Sequence, residues 1–193
     1  MTRIFLISIL LFPLNILFSS TFVYMELEAI ADRSDAIIRG FVREVESRYN
    51  EEKTKIFTFA AIEVKEVIKG KVPPIVNVRT FGGRVGDVNM KVPGMPEFKK
   101  GEDVFLFLKK NEDVWHVTGM LQGKYIIEKD ESGKEFLKND FKGIVFKKVN
   151  ADNKLEDMKP EEIPTRYEYL EFVAKLREWV SRKSREETID KKH

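Results

Sequence analysis

The middle of the chain, residues 35–149, has the residue pattern of β-strands separated by turns. Short segments rich in β-branched and aromatic residues, which favour strands, alternate with polar, Gly- and Pro-containing segments that favour turns. They predict six or seven strands, over residues 35–45, 56–68, 75–80, 103–109, 114–118, 124–128 and 143–149. Strands joined by short connections favour an antiparallel sheet that closes into a small barrel.

The second strand changes its phase midway. Phe57 and Phe59 lie on one phase, whereas Ala60 and Ile62 lie on the other. Such a change indicates a bulge or a strongly bent strand, as found at a barrel corner. Gly40, inside the first strand, indicates a bulge or the close approach of another backbone. Together these features favour a five-stranded OB-type barrel over a flat sandwich.

Two helices are predicted, a short one over residues 26–34 and a terminal one over 164–185. Apolar residues recur in the second at helical spacing, and they are Tyr169, Phe172, Val173, Leu176, Trp179 and Val180. We expect this apolar face to pack on the barrel. If it does not pack there, it would be a docking surface for another protein.

The segment 81–101 has no periodicity and holds five glycines and two prolines. A loop of this length in a compact domain is usually functional or disordered. Pro93-Gly94-Met95-Pro96 could present an apolar anchor to a partner, or it could fold back and plug the barrel end. The candidate partner-binding residues in this loop and the neighbouring segment 119–125 are Phe81, Arg84, Met95, Phe98, Gln122 and Tyr125.

The N-terminus has the pattern of an export leader. Arg3 precedes an uncharged run of 22 residues, 4–25, with Glu26 immediately after it. A short basic region before an apolar stretch is typical of a signal peptide, although this run is also long enough for an uncleaved membrane anchor. Both alternatives place the body of the protein outside the cytoplasm, in the periplasm or the extracellular space.

Composition narrows the remaining possibilities. The chain has no cysteine, which excludes disulfides, thiolate metal sites and a cysteine nucleophile. Its 34 basic and 32 acidic residues are interspersed, so no basic footprint for nucleic acid stands out. The predicted organisation is a leader (1–25), an OB-like barrel domain (26–149), a linker (150–163), a helix (164–185) and a disordered tail (186–193).

Little in the sequence points to catalysis. The only histidines are His116, in a predicted strand, and His193 at the end of the chain. No G-x-S-x-G motif is present, and the paired carboxylates, such as Glu51-Glu52, lie in polar surface stretches. The glycine pattern at 82–86 lacks the Lys-Ser/Thr ending of a phosphate-binding P-loop. We therefore expect no catalytic residue, no metal and no cofactor.

Four segments together carry a family resemblance. They read SD-x-I-x-x-G-x-V (34–42), V-x-x-V-x-KG (64–70), V-x-V-x-T (76–80) and GE-x-V-x-x-F (101–107). In this order they resemble the netrin-like domain, the OB barrel shared with tissue inhibitors of metalloproteinases. The segments 80–83, 92–98 and 119–125 resemble cysteine-free bacterial exported proteins of unknown function.

The resemblance implies an exported OB-type scaffold over residues 27–125, and a fold alone does not give a function. Tissue inhibitors chelate the protease zinc through an N-terminal cysteine. Since this chain has no cysteine, that mechanism carries over to no residue here.

The sequence predicts an exported, non-catalytic binding or accessory module. Its expected partner is another exported or envelope protein, with no nucleic acid, and with the membrane only if the N-terminal segment stays uncleaved. One alternative is a cysteine-independent inhibitor or escort of an exported metalloprotease. Another, from a different class, is a small exported hydrolase that uses His116.

Overall fold

The computed structural model of the protein describes residues 20–190, with side chains as far as residue 186. The strands are β1 (Ser20–Val23), β2 (Ala36–Tyr49), β3 (Ile56–Lys69), β4 (Ile75–Phe81), β5 (Gly83–Val85), β6 (Val88–Met90), β7 (Asp103–Asn111), β8 (Val114–Val117), β9 (Lys124–Lys129), β10 (Glu135–Lys138), β11 (Ile144–Val149), β12 (Leu155–Asp157) and β13 (Arg166–Glu168). The helices are α1 (Leu27–Arg33) and α2 (Tyr169–Asp190), with 3-10 turns at Met120–Gly123 and Pro160–Glu162.

The main sheet curls into a ring of five strands. In order around the ring, β2 pairs with β3, β3 with β4, β4 with β8, β8 with β7, and β7 with β2. All of these pairings are antiparallel except β4–β8, which is parallel and consists of one bridge, Val78 to Trp115. The prediction of a mainly β chain with a barrel-like sheet, a short N-terminal helix and a C-terminal helix is confirmed.

The phase change predicted a bulge or bend at Phe59 and Ala60, and this prediction is wrong, because both residues pair in unbroken register with Glu46 and Val45. The irregular stretch lies further along the β2–β3 pairing. Its register shifts three times between Ile37 and Glu44. Gly40 lies at one of these shifts, and a methyl group there would come within 2.5 Å of Ile62 Cγ2 and 2.7 Å of the Glu63 carbonyl oxygen. The sequence prediction of a bulge with a close backbone approach is thus confirmed, because only glycine leaves room for the neighbouring strand.

β7 separates two hydrophobic cores, as its continuous apolar run predicts. Val104, Leu106 and Leu108 face the interior of the ring and pack with β2, β3, β4 and Trp115. Phe105 and Phe107 point the other way and pack against α1 and α2. The five central apolar residues of α2 are all buried in this second core, and they are Tyr169, Phe172, Val173, Leu176 and Trp179. The terminal helix therefore packs on the barrel, as expected.

Arg39 of β2 connects β7 and β10 and contacts the start of α2. Its guanidinium donates to both carboxylate oxygens of Asp103 on β7, at 3.1 and 2.6 Å, and to both of Glu135 on β10, at 2.7 and 2.9 Å. It also lies 4.7 Å from the ring centre of Tyr169 at the start of α2. Hydrogen bonds to Glu135 and then to Asp103 raise the pKa of Arg39, so the charge at this junction is permanent.

Residues 20–25 of the predicted leader belong to the fold. β1 pairs in parallel with β11, and the side-chain amide of Gln122 fixes the segment that follows. The Gln122 oxygen accepts from the Met25 N–H at 2.9 Å, and its nitrogen donates to the Val23 carbonyl at 3.1 Å. The rest of the predicted leader, residues 1–19, lies outside the described residues.

Other predicted boundaries also move. α2 begins at Tyr169 rather than 164, because residues 166–168 form β13 and pair with β10. The predicted linker 150–163 carries β12, which pairs with β11. Residues 186–190, predicted to lie in a disordered tail, continue α2. Between residues 20 and 190, no helix combines the length and the apolar character needed to cross a membrane.

Candidate functional site

The glycine-rich segment 81–101 is folded onto the barrel. Its first half forms the β5–β6 hairpin, and the N–H of Gly82 donates to the Ile56 carbonyl at 2.8 Å. Its second half crosses the barrel end, where the Gly94 carbonyl accepts from the Leu121 N–H at 2.9 Å. The ring of Phe22 on β1 packs against Gly94 and leaves no room for a side chain there. Contacts from three other parts of the chain therefore hold this loop.

The tip of the loop folds back, which was the second of the two sequence interpretations. Pro96 and Phe98 are buried, and Met95 is half-buried. Phe98 packs in the hydrophobic core inside the ring of strands. The ammonium of Lys124 lies 4.8 Å from the centre of the Phe98 phenyl group. Met95 does not project as a free anchor, but its half-exposed side chain lines open clefts on both sides.

Four of the six predicted contact residues meet at one cleft of about 300 Å³, which we call the hairpin cleft. Its lining includes Phe81, Arg84, Met95 and Phe98, with Arg84 exposed at the β5–β6 hairpin. The loop packs closely on the sheet here because Gly83 has no side chain and lies against Ser47 and Thr58. The hydroxyls of these two residues are 2.8 Å apart. The Thr58 hydroxyl donates to the Gly82 carbonyl at 2.7 Å.

The other two predicted residues, Gln122 and Tyr125, lie elsewhere and are buried, with 5% of each exposed. Gln122 fixes the segment after β1, and Tyr125 packs among Phe107, Tyr167 and Phe172. Burial raises the pKa of Tyr125. These two residues, together with Phe98, support the fold, and the predicted contact set reduces to Phe81, Arg84 and Met95.

A second, smaller cleft of about 140 Å³ adjoins the first. We call it the Arg79 cleft, and its lining includes Phe57, Arg79, Thr80, Phe81, Met95, Pro96, His116, Val117 and Met120. Thr80, Phe81, Met95 and Pro96 line both clefts, which therefore share a wall. The Arg79 cleft lies over the seam of the ring, because Arg79 follows Val78 and His116 follows Trp115.

Arg79 is unusual among the arginines of the barrel. Its Nε is buried and has no hydrogen-bond partner. Its guanidinium carbon lies 5.1 Å from the ring centre of Phe57, and one terminal nitrogen lies 3.5 Å from His116 Nε2. Among residues 20–186, no carboxylate forms an ion pair with Arg79 or Arg48, whereas Arg39 has two carboxylate partners and Arg43 has one.

His116 is neutral at pH 7. Burial, and then the neighbouring Arg79 charge, lower its pKa from the ordinary value of 6.5, and a hydrogen bond with the Arg79 backbone opposes this only in part. The imidazole therefore adds no charge to the cleft. In the described part of the chain its polar contacts are all with Arg79.

The outer face of the hairpin β2–β3 continues this surface with arginines stacked on phenylalanines. The guanidinium of Arg48 lies 4.1 Å from the ring centre of Phe59, and that of Arg43 lies 5.5 Å from the ring centre of Phe41. The sequence analysis placed Phe57 and Phe59 on one face of their strand but did not include Arg79 among the candidate contact residues. The alternation in Val76-Asn77-Val78-Arg79-Thr80 already directs Arg79 outward, so the signal was present.

Comparisons with protein-family models, with curated proteins and with solved structures give no match. Within the part of the chain that the structure describes, no three His, Cys, Asp or Glu side chains are grouped so that they could hold a metal ion. The local geometry of the two clefts is therefore the basis for any functional proposal.

Proposed function

We propose that the protein is an exported, non-catalytic binding module that holds a segment of another exported or envelope protein across the hairpin cleft and the Arg79 cleft. One observation carries this proposal. Two open clefts share an apolar wall that consists of the half-buried Phe81 and Met95 and the buried Pro96. Two adjacent depressions with a shared apolar wall suit an extended segment whose successive side chains enter one cleft and then the other.

The residues around the clefts have the chemistry of recognition. Aromatic side chains, methionine and arginine are enriched at protein interfaces, and the lining of the two clefts includes Phe57, Phe81, Met95, Arg79 and Arg84. Methionine fills irregular gaps and adapts its shape to different ligands. The strands beneath belong to the core, where Val78 and Ile56 are fully buried. Loops on a packed frame are the usual carriers of binding.

The proposal of export rests on the N-terminal sequence pattern, and the choice of partner follows from it. A protein delivered outside the cytoplasm meets exported or envelope proteins there. The balance of basic and acidic residues gives no support to a nucleic-acid partner.

Site-specific photocrosslinking in the source cells tests the proposal. A photoreactive amino acid replaces Met95 in the shared wall, and in a matched control it replaces Leu170, which is 72% exposed on the opposite, helical side. We expect a discrete adduct with one envelope or exported protein from position 95, and none from position 170. A further substitution, Phe81→Ser, is expected to reduce the adduct from position 95.

The proposal fails if position 95 gives no adduct, or if both positions give the same adducts. Circular dichroism of the purified variants checks that each is folded, so that loss of the adduct reports on the surface alone.

A further inference from the structure

We propose that the Arg79 cleft is a subsite for a carboxylate group that is attached to a small apolar chain. This inference rests on the proposed function, because it assumes that the clefts are the binding surface, and it adds the chemical class of the group that enters one of them. The observation behind it is an arginine that has an unsatisfied donor and no acidic partner, at the base of an apolar depression.

The unsatisfied donor points to the missing group. A guanidinium presents five N–H donors in a planar fork, and a carboxylate binds two of them side by side. Arg39 shows the satisfied arrangement, with two carboxylates bound in this manner. In Arg79 the Nε donor is buried without a partner, and the described residues offer it no carboxylate. A ligand carboxylate would provide the acceptor that the fold omits.

The electrostatics favour an anion. His116 is neutral, for the reasons given above, so it does not compete with the ligand for the guanidinium as a carboxylate would. By strand register, the cation Lys109 lies opposite His116, and the anion Glu46 lies in one row with Phe59 and Arg79. Among residues 20–186, Glu46 forms no ion pair with Arg79, so the guanidinium charge acts on an anion that enters the cleft.

The walls select the rest of the ligand. Phe57, Phe81, Val117 and Met120 make the cleft largely apolar. A strongly hydrated anion such as inorganic phosphate would lose its water here without enough donors to replace it. A volume of about 140 Å³ is well below the roughly 300–1,000 Å³ typical of sites for whole small molecules. The cleft therefore fits one end of a ligand.

Access to Nε requires a side chain to move, because that atom is shielded from solvent. Met95 and Met120 are the unbranched side chains in the wall, and methionine changes rotamer readily. We expect the carboxylate to seat between Nε and one terminal nitrogen after such a shift. The chemistry is shared by two sources, the free C-terminal residue of a polypeptide and a free short aliphatic acid.

Titration of the purified exported protein with N-acetyl-leucine tests the subsite, with N-acetyl-leucine amide as the matched ligand that lacks the charge. Nuclear magnetic resonance of the arginine Nε–Hε groups reports the contact. We expect the Arg79 signal to shift with the acid, and the amide to bind at least about tenfold more weakly, since hydrogen bonds to a charged group are lost. Equal binding of acid and amide overturns the proposal, as does an unmoved Arg79 signal.

Variants add a second readout. Arg79→Lys keeps the positive charge but removes the planar pair of donors that binds a carboxylate. We expect the affinity for N-acetyl-leucine to fall about tenfold or more. The matched control is Arg48→Lys, a neighbouring arginine that also stacks on a phenylalanine, and it is expected to stay within about twofold. Equal effects of the two variants contradict a specific site. Displacement of N-acetyl-leucine by an equal concentration of inorganic phosphate also overturns the carboxylate assignment.

Two further ligands separate the sources. A pentapeptide ending in leucine with a free carboxylate is compared with 4-methylpentanoate. Tighter binding of the peptide supports a polypeptide C-terminus, and equal binding supports a free acid. A crosslink at position 95 that is insensitive to Arg79→Lys, together with equal binding of N-acetyl-leucine to the wild type and the Arg79→Lys variant, leaves the proposed function standing and removes the carboxylate subsite. Loss of the crosslink in the wild type removes both.

Discussion

Arg39 and Arg79 lie on the same barrel in opposite surroundings. Arg39 bridges Asp103 and Glu135 and stacks on Tyr169, so its donors and its stacking contact are all used within the fold. Arg79 has a buried Nε with no partner. Leaving one buried donor unsatisfied costs on the order of 1–3 kcal/mol. Arg39 therefore stabilises the fold, whereas Arg79 has an Nε–H donor that no acceptor in the described residues satisfies.

The Glu135 pair predicts a specific pH dependence of stability. Hydrogen bonding to Arg39 lowers the pKa of Glu135 from its ordinary value of 4.5. Its contribution is therefore complete above pH 4.5 and is lost as the pH falls towards the lowered pKa. We expect Glu135→Gln to lower the free energy of unfolding by about 1 kcal/mol at pH 7, between the surface-pair and buried-pair ranges.

Urea denaturation at pH 7, 5, 4 and 3 measures this difference, which should shrink between wild type and variant only below about pH 4.5. Glu128→Gln is the control, since Glu128 pairs with Lys138 with half of each side chain exposed. A Glu135→Gln difference that stays constant down to pH 3 would contradict the role of the ion pair.

Gly40 predicts a steric cost at a single position. Gly40→Ala places a methyl group 2.5 Å from Ile62 Cγ2, which is closer than packed carbons approach. We expect a loss of about 1–3 kcal/mol in the free energy of unfolding, the usual cost of overpacking a core. Urea titration followed by tryptophan fluorescence measures it. An unchanged midpoint would mean that β2 and β3 do not approach as described.

At the level of elements, α2 is held by its apolar face and by polar contacts at its edge. The hydroxyl of Tyr169 donates to the carboxylate of Glu66 on β3, and Arg177 bonds to the other oxygen of Glu66. Burial and then this hydrogen bond raise the pKa of Tyr169 to about 12. Two side chains of α2 therefore anchor the helix to β3.

Leu176→Ala tests this packing. Leu176 is 2% exposed, and loss of such a side chain costs about 2–5 kcal/mol. The neighbouring Lys175→Ala is exposed and is expected to change stability by less than about 0.5 kcal/mol. Amide exchange in the wild type should be slow across 172–180. Fast exchange there, or equal effects of the two substitutions, would mean that α2 is not docked in solution.

The pattern of the sequence predicted the elements that depend on local alternation. β3, β7 and the buried face of α2 follow from residue periodicity, and Gly40 from its place inside a strand. The β5–β6 hairpin was missed because strands of three residues carry no measurable period. β1 was missed because four residues next to an apolar leader cannot be told from the leader itself.

The candidate site was predicted in part, for a related reason. Phe81, Arg84 and Met95 line the clefts, as a loop-centred hypothesis requires. Gln122 and Tyr125 were misplaced because burial after a short turn depends on which distant segments pack there, here β1 and α2. Arg79 could have been found from strand alternation, but its missing partner is a property of the tertiary fold alone.

At the level of the whole molecule, β1 limits where a leader can be cleaved. Strand pairing with β11 and the two Gln122 hydrogen bonds make residues 20–25 part of the folded body. If export removes the leader, we expect the mature chain to begin at or before Ser20. Mass spectrometry of the N-terminal peptide from envelope material measures this. A folded mature protein that begins after Ser20 would contradict the prediction.

The seam between β4 and β8 has the fewest backbone links in the ring. One bridge, Val78 to Trp115, joins two strands that otherwise meet through side chains in the core and through the contact of Arg79 with His116. Arg79 and His116 both line the Arg79 cleft. If these strands part, the cleft ceases to exist. A ligand bound in the cleft contacts both strands. By linkage, its binding is therefore expected to stabilise the closed ring against separation of β4 and β8.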